Sequence, residues 1–309
     1  MTDFATALDD FLATRHAMGY KLDAHRLVLS HFVGHLEAIG AEHLTIDEAL
    51  RFATQPTDAA PVWSAAKLGV IRVFARYLVA LDPATEVPPV DLLPEPSHRI
   101  IPHIYSAEDL AKVLGAADHL NPEHRADTYQ HVISLLAVSG MRVSEAVRLD
   151  RDDVDFERGL LTISRSKFGK SRQVPLHRTT VKALAAYGRR RDERRPKPKS
   201  PSFFTSSTGT RLLRDNVSTV FPRLVREAGL ATRGSHRPPR LHDLRHSFAV
   251  KCVIGWYRDG LDVEARLPLL STYLGHVAPS TTYWYLTGVP ELLELVSERL
   301  DSAVSGLER

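Results

Sequence analysis

Apolar positions recur at helical spacing through the first eighty residues. Phe4, Leu8, Phe11 and Leu12 fall on one helical face, and Leu27, Val28, Phe32 and Leu36 on another. Gly19 and Gly40 follow these stretches as stop signals. Thr45, with Glu48 three residues on, has the pattern of a capping box and opens a short third helix. Trp63, Leu68, Ile71, Phe74 and Leu78 place a fourth over 62–80. Residues 1–81 therefore read as four or five helices. From Asp82 to Pro102 the chain holds six of its 19 prolines, which supply no amide donor and break helices, so this stretch reads as an extended linker. The pattern predicts two domains, 1–95 and 96–309.

Past the linker, Ser106 followed by Asp109 marks a helix start, and 124–139 is a strongly apolar helix ended by Gly140. The period then changes. Val154-Asp155-Phe156, Leu160-Leu161-Thr162-Ile163 and Gln173-Val174-Pro175-Leu176 read as short strands, with turn residues at 157–159 and 168–170. Helical spacing returns near 178–190, 214–228, 242–255, 263–273 and 290–304, while 189–201 reads as a basic, proline-bearing loop. The expected fold class is mainly α with a small antiparallel sheet, a helical N-terminal domain preceding an α+β domain.

Composition narrows the function classes. At 43% hydrophobic and 25% charged, the 309 residues have the make-up of a soluble globular protein, which excludes disorder over the whole chain. Cys252 is the only cysteine, so an intrachain disulfide and a cysteine-rich zinc module are both excluded. The N-terminus lacks the basic flank and apolar core of a secretory signal, and no apolar run reaches membrane-spanning length, so a cytoplasmic protein is expected. A net charge of +3 hides an asymmetry: 1–95 carries −6, 96–251 carries +13 and 252–309 carries −4. The middle of the chain is a candidate surface for a polyanion. The acidic first part would touch DNA only through a few placed cations such as Lys67, Arg72 and Arg76. The five histidines before residue 44 have no ligand spacing and read as surface.

Five segments carry candidate chemistry: SGMRVSEAVRL (139–149), SKFGKSRQVPL (166–176), LHDLRHSFA (241–249), YLGH (273–276) and TTYWYL (281–286). Each alone is a weak signal. In this order and spacing they resemble the tyrosine recombinases, the phage-integrase type of site-specific recombinases. The resemblance covers essentially the whole chain and is strongest over 139–286. It implies a helical, SAM-like core-binding domain over 1–95 and a catalytic domain over 96–309. It also implies a set of roles. Arg142 and Arg245 match the two catalytic arginines, Glu145 the supporting acid, His242 the histidine of the His-x-x-Arg pair and His276 the second histidine. Lys167 matches the lysine on the turn between the second and third strands. Tyr285, nine residues after His276, matches the nucleophile; Tyr283 is a nearby decoy. Lys170 and Arg172 compete with Lys167 for the acid role or touch phosphates, as would Arg189, Arg190 and Arg191 in the basic loop.

The residue types suit a phosphodiester exchange. Two planar guanidiniums can grip the nonbridging oxygens by paired hydrogen bonds, and preorganised positive charge stabilises the transition state. A free phenol has a pKa of about 10, so the nucleophile needs its proton removed or shared, with His242 placed as base or as donor to phosphate. Lys167 would protonate the 5′ leaving oxygen. Neither metal nor ATP is expected as cofactor; His242 and His246 have helical ligand spacing, but a neighbouring arginine repels a cation. The expected partner is double-stranded DNA, bound by a homotetramer in the synapse, with or without a sister recombinase. Apolar Leu292, Val296, Leu300 and Ala303 form one stripe for docking on a neighbour or on the same domain. The TTYWYL ending resembles integrases of transposons and plasmid-borne elements more than the chromosome-resolving Xer type, and the start directly at the core-binding helices differs from a lambda-type integrase. Two alternatives stand beside recombination: a regulator or accessory subunit of the same fold, and a nicking-closing enzyme of the type IB topoisomerase kind.

Overall fold

A computed structural model describes residues 3–20, 22–58, 61–93, 102–164, 171–230 and 238–275, together with Leu292 and Ser297. The chain divides into two units, Met1–Ile100 and Ile101–Arg309. No described helix is long and apolar enough to cross a membrane.

The described part of the first unit holds α1 (Phe4–Ala17), α2 (Asp23–Ala38), α3 (Ile46–Ala53) and α4 (Pro61–Leu78). Asp3 starts α1 by accepting from the Thr6 amide at 3.0 Å. Phe11 from α1 meets Phe74 from α4 edge-on at 5.5 Å in the core. The buried face of α2 is Leu29, Phe32, Val33 and Leu36, spaced three, one and three; Leu27, expected inside, is 61% exposed. Trp63 is likewise outside, at 67% exposure.

Polar contacts correct several expectations in this unit. Thr45 does accept from the Glu48 amide, at 3.3 Å, but the Glu48 carboxylate turns to His35 at 3.2 Å and Arg51 at 3.0 Å. His43 is on the surface, as expected, and hydrogen-bonds Asp82 at 2.9 Å, while His35 is partly buried against Glu48. Lys67 donates to the Gln55 carbonyl. Arg72 donates to the Pro88 and Pro89 carbonyls at 2.8 and 2.7 Å. Proline-rich backbone has carbonyls without helical partners, and Arg72 straps them to α4. Of the three proposed phosphate contacts here, Arg76 is the exposed one.

The second unit opens with a full capping box between Ser106 and Asp109 ahead of α5 (Ala107–Asp118). Then come α6 (Glu123–Ser139), the single turn α7 (Val143–Ala146), β1 (Val154–Asp155), β2 (Leu160–Ile163) and β3 (Arg172–Pro175). Helices α8 (Arg178–Arg194), α9 (Arg214–Glu227), α10 (Asp243–Arg258) and α11 (Val263–Leu274) follow. The sheet is antiparallel in the order β1-β2-β3, with Leu161 opposite both Val154 and Val174, and Ile163 opposite Arg172. Leu292 is buried in a cluster with Val250, Val253, Leu267 and Leu270 of its own unit. The other stripe positions, Val296, Leu300 and Ala303, lie outside the described residues.

The basic run after residue 188 is not a loop. Helix α8 continues through it to Arg194, and Arg191 lies on the buried face with Leu184, Tyr187 and Gly188. Arg191 donates to the Phe203 carbonyl at 2.6 Å, and its guanidinium lies over the Phe203 ring, 5.1 Å from the centroid. Arg190 grips Asp127 of α6 with two bonds of 3.0 and 2.6 Å, and Arg194 adds a third of 3.0 Å. Burial pushes the Asp127 carboxyl up, but the Arg190 bond and the charges of His131 and Arg190 outweigh it and hold the group below its usual range. Arg190 and Arg191 therefore fasten α8 to its neighbours, while Arg189 is exposed. Arg191→Ala is expected to lower unfolding stability by about 1–3 kcal/mol, because the buried Phe203 carbonyl loses its donor. Urea titration reads this as a lower midpoint at unchanged slope, with Arg189→Ala leaving the midpoint in place.

Candidate active site

Helix α6 ends at Gly140, whose φ of +60° turns the chain back; a Cβ there would lie 2.5 Å from the Phe248 ring. Only glycine fits both demands. Two residues later Arg142 sits at the N-cap of α7, with Glu145 one turn on. The Arg142 amide and Nη1 donate to the two Glu145 oxygens at 2.9 and 3.0 Å, and Nη2 donates to the Gly275 carbonyl at 3.2 Å.

Helix α10 supplies the other half. Asp243 accepts from the Arg240 amide at 2.8 Å and anchors the entry of the helix. His242 is its N-cap, and Arg245 follows within the first turn, 2% exposed. Arg245 Nη1 donates to the Gly140 carbonyl at 2.8 Å and Nη2 to the Leu274 carbonyl at 2.6 Å. A buried arginine thus joins the turn before Arg142 to the end of α11. His246, one turn on, is buried with its ring edge-on to His242 at 4.9 Å.

These side chains converge. Arg142, His242 and Arg245 line one pocket of about 390 Å³, together with Ser144, Arg214 and Ser218. Ser144 comes from α7 beside Arg142, whereas the motif pattern carries no signal for Arg214 or Ser218, which the packing of α9 brings to the pocket. Burial depresses the His242 pKa first, and the Arg245 charge lowers it further against the opposing pull of Asp243. The ring is exposed on its pocket side, and the lowered pKa favours the neutral form, which has a lone pair to offer. Glu145 is 6% exposed; burial raises its pKa, but the Arg172 bonds, then the Arg142 amide, outweigh this and hold it below the usual carboxylate range.

Arg172, expected in the acid role or as a phosphate contact, is largely buried, with 13% side-chain exposure, in a two-pronged contact with Glu145 at 3.0 and 2.8 Å. Strand parity explains it: Arg172 stands two residues before buried Val174 and opposite buried Ile163, so it shares their inward face. Lys167, Lys170, His276, Tyr283 and Tyr285 lie outside the described residues. What the structure brings together is Arg142, Glu145, Arg172, His242 and Arg245. Lys67, Arg72 and Arg76 belong to the other unit.

A putative integrase/recombinase, y4rB, of Sinorhizobium fredii (strain NBRC 101917 / NGR234) is 42% identical over 97% of this chain and 98% of its own. Tyrosine recombinase XerD of Mycobacterium leprae (strain TN) is 30% identical over 90% of each chain. Among solved structures, the Tn1549 transposon integrase in complex with a circular intermediate DNA matches with a TM-score of 0.67 at 15% identity, covering 97% of this chain and 100% of that one. A lambda integrase tetramer bound to a Holliday junction matches at 0.64 and 18%, covering 91% and 76%. At such identities the structural likeness establishes the fold, that of the tyrosine recombinases. The model of the Phage integrase family matches residues 106–289, which takes in every segment of the site, and the chain belongs to that family of integrases and tyrosine recombinases.

Proposed function

We propose that this protein is a site-specific DNA recombinase that cuts and rejoins DNA through a 3′-phosphotyrosyl intermediate and serves the integration or excision of a mobile element. The observation that carries the reading is the convergence of Arg142, Arg245 and His242 on one pocket. Two guanidiniums and a neutral imidazole suit a phosphodiester, whose nonbridging oxygens gain charge as it is attacked. In the proposed step the Tyr285 oxygen bonds to phosphorus and the bond to the 5′ oxygen breaks. The phenol proton passes to His242, and Lys167 protonates the departing 5′ oxygen. His276 donates to a nonbridging oxygen. One phosphoester replaces another, so the balance requires neither ATP nor metal. Double-stranded DNA is the partner, with Arg76, Lys170 and Arg189 among the phosphate contacts and a homotetramer as the synaptic assembly. The mobile-element role draws on the y4rB relative and on the TTYWYL ending.

The test is a covalent-adduct assay on nicked suicide duplexes carrying the inverted repeats that flank the gene. An SDS-resistant adduct supports the reading, and DNA binding without one favours an accessory protein. Adduct on any duplex regardless of sequence favours a nicking-closing enzyme. The adduct rate also has an expected pH course. His242 acts as a base only when neutral, and its pKa lies below 6.5. At subsaturating DNA, where the rate reports the free protein, the rate is expected to hold from pH 8 to about 7 and to reach half only below pH 6.5. A rate that rises as the pH falls would assign His242 the role of a charged donor instead.

A further inference from the structure

We infer that Arg172 is a positioning residue of the active site: it neutralises Glu145 and thereby leaves the charge of Arg142 available to the phosphate. The inference rests on the recombinase reading above. Glu145 accepts four hydrogen bonds, two on each oxygen: from the Arg142 amide and Nη1, and from Arg172 Nη1 and Nη2. The two arginines use it differently. Arg172 holds it in a planar fork, the strongest arginine–carboxylate geometry, whereas the Arg142 guanidinium touches it through one nitrogen. Arg142 lines the pocket and Arg172 does not.

Charge makes the arrangement functional. Arg142 and Glu145 alone would cancel, and an unopposed carboxylate would draw both prongs of Arg142 onto itself and away from the pocket. With Arg172 also bound to Glu145, the trio keeps one positive charge in surplus, with Arg142 the member that lines the pocket. Arg172 also packs on the turn after α11. Gly275 has φ +69°, and a Cβ there would stand 3.0 Å from Arg172 Nη1 and 3.7 Å from Arg142 Nη1. The Gly275 carbonyl in turn accepts from Arg142. Strand β3 is thus tied through one guanidinium to both segments that hold Arg142.

A charge rescue tests this. The assay is adduct formation by the full-length protein on the same nicked duplexes, with DNA affinity measured in parallel. Arg172→Gln is expected to slow adduct formation about 100-fold at unchanged DNA affinity, since the group it misplaces is essential but is not itself Arg172. Glu145→Gln added to Arg172→Gln removes the anion that captures Arg142, and is expected to recover about tenfold over Arg172→Gln alone. Arg172→Lys keeps the charge and is expected within about tenfold of the parent. A double variant as slow as Arg172→Gln would reduce Arg172 to a packing role. Weakened DNA affinity in Arg172→Gln would make it a phosphate ligand. If Arg172→Gln does not fold, the Lys variant decides alone, and a loss near 100-fold there overturns the inference. The parent protein is the reference: no adduct from it counts against the proposed reaction and not against Arg172.

Discussion

Tyr285→Phe is expected to bind target DNA as tightly as the parent and to form no covalent adduct, a loss of at least about 10⁶-fold in the cleavage step. The substitution removes one oxygen and leaves the ring, so binding and folding contacts remain. What disappears is the atom that bonds to phosphorus in the proposed step. Tyr283 does not substitute for it. On helical geometry, side chains two residues apart would point about 200° from one another, so only one of the two would face a given pocket. A third tyrosine, Tyr273, stands near the site, stacked on Phe248 with ring centroids 5.6 Å apart. Burial pushes its phenol up to about 12, which makes it a poor nucleophile near neutral pH. The measurement is denaturing electrophoresis of protein incubated with labelled suicide duplex. Tyr283→Phe is expected to keep the slow-migrating band. A band from Tyr285→Phe, or its loss in Tyr283→Phe, would move the nucleophile to the other residue.

Much of the scaffold was legible because local signals agree with the tertiary result. Gly140 stops α6 and the three short strands over 154–176 follow from side-chain period and turn residues, to within a residue at their ends, since these act within a few residues. The Arg142–Glu145 pair follows from their spacing on one turn. Two features were written in the same periods and read otherwise. Arg172 has the parity of Val174, which sends it inward although it is charged. Arg191 has the helical spacing of Leu184 and Tyr187, and nothing before Pro196 breaks that helix. In both cases charge points to a DNA contact, or for Arg172 to the acid role, whereas a buried carboxylate or carbonyl provides the residue with a partner inside. Other features had no local signal at all. His35 with Glu48, His43 with Asp82 and Arg72 with the proline carbonyls join residues 13, 39 and 16 positions apart. Only the packed chain brings such groups within reach.

Arg245 shows the limit of treating catalysis and stability as separate properties. Of the five N–H donors in a guanidinium, one goes to the Gly140 carbonyl and one to the Leu274 carbonyl. Those carbonyls flank Arg142 on one side and Gly275 on the other, so a single planar fork sets the spacing of the pocket walls. Arg245→Ala leaves two buried carbonyls without these donors, at about 1–3 kcal/mol each. It also removes a preorganised charge from the pocket, an effect of about 10²–10³-fold or more on cleavage. Arg245→Lys separates the two contributions. An ammonium restores the charge but cannot span both carbonyls in the plane of a fork. The expected order in adduct rate is parent, then Lys, then Ala, with Lys lower by at least about 100-fold because Arg142 and the end of α11 lose their common brace. Thermal melts run beside the adduct assay identify the cause. At a temperature where both variants are folded and bind DNA, the rate loss must persist. An Arg245→Ala protein that cleaves within tenfold of the parent under those conditions would remove Arg245 from the catalytic set and leave it a structural tie.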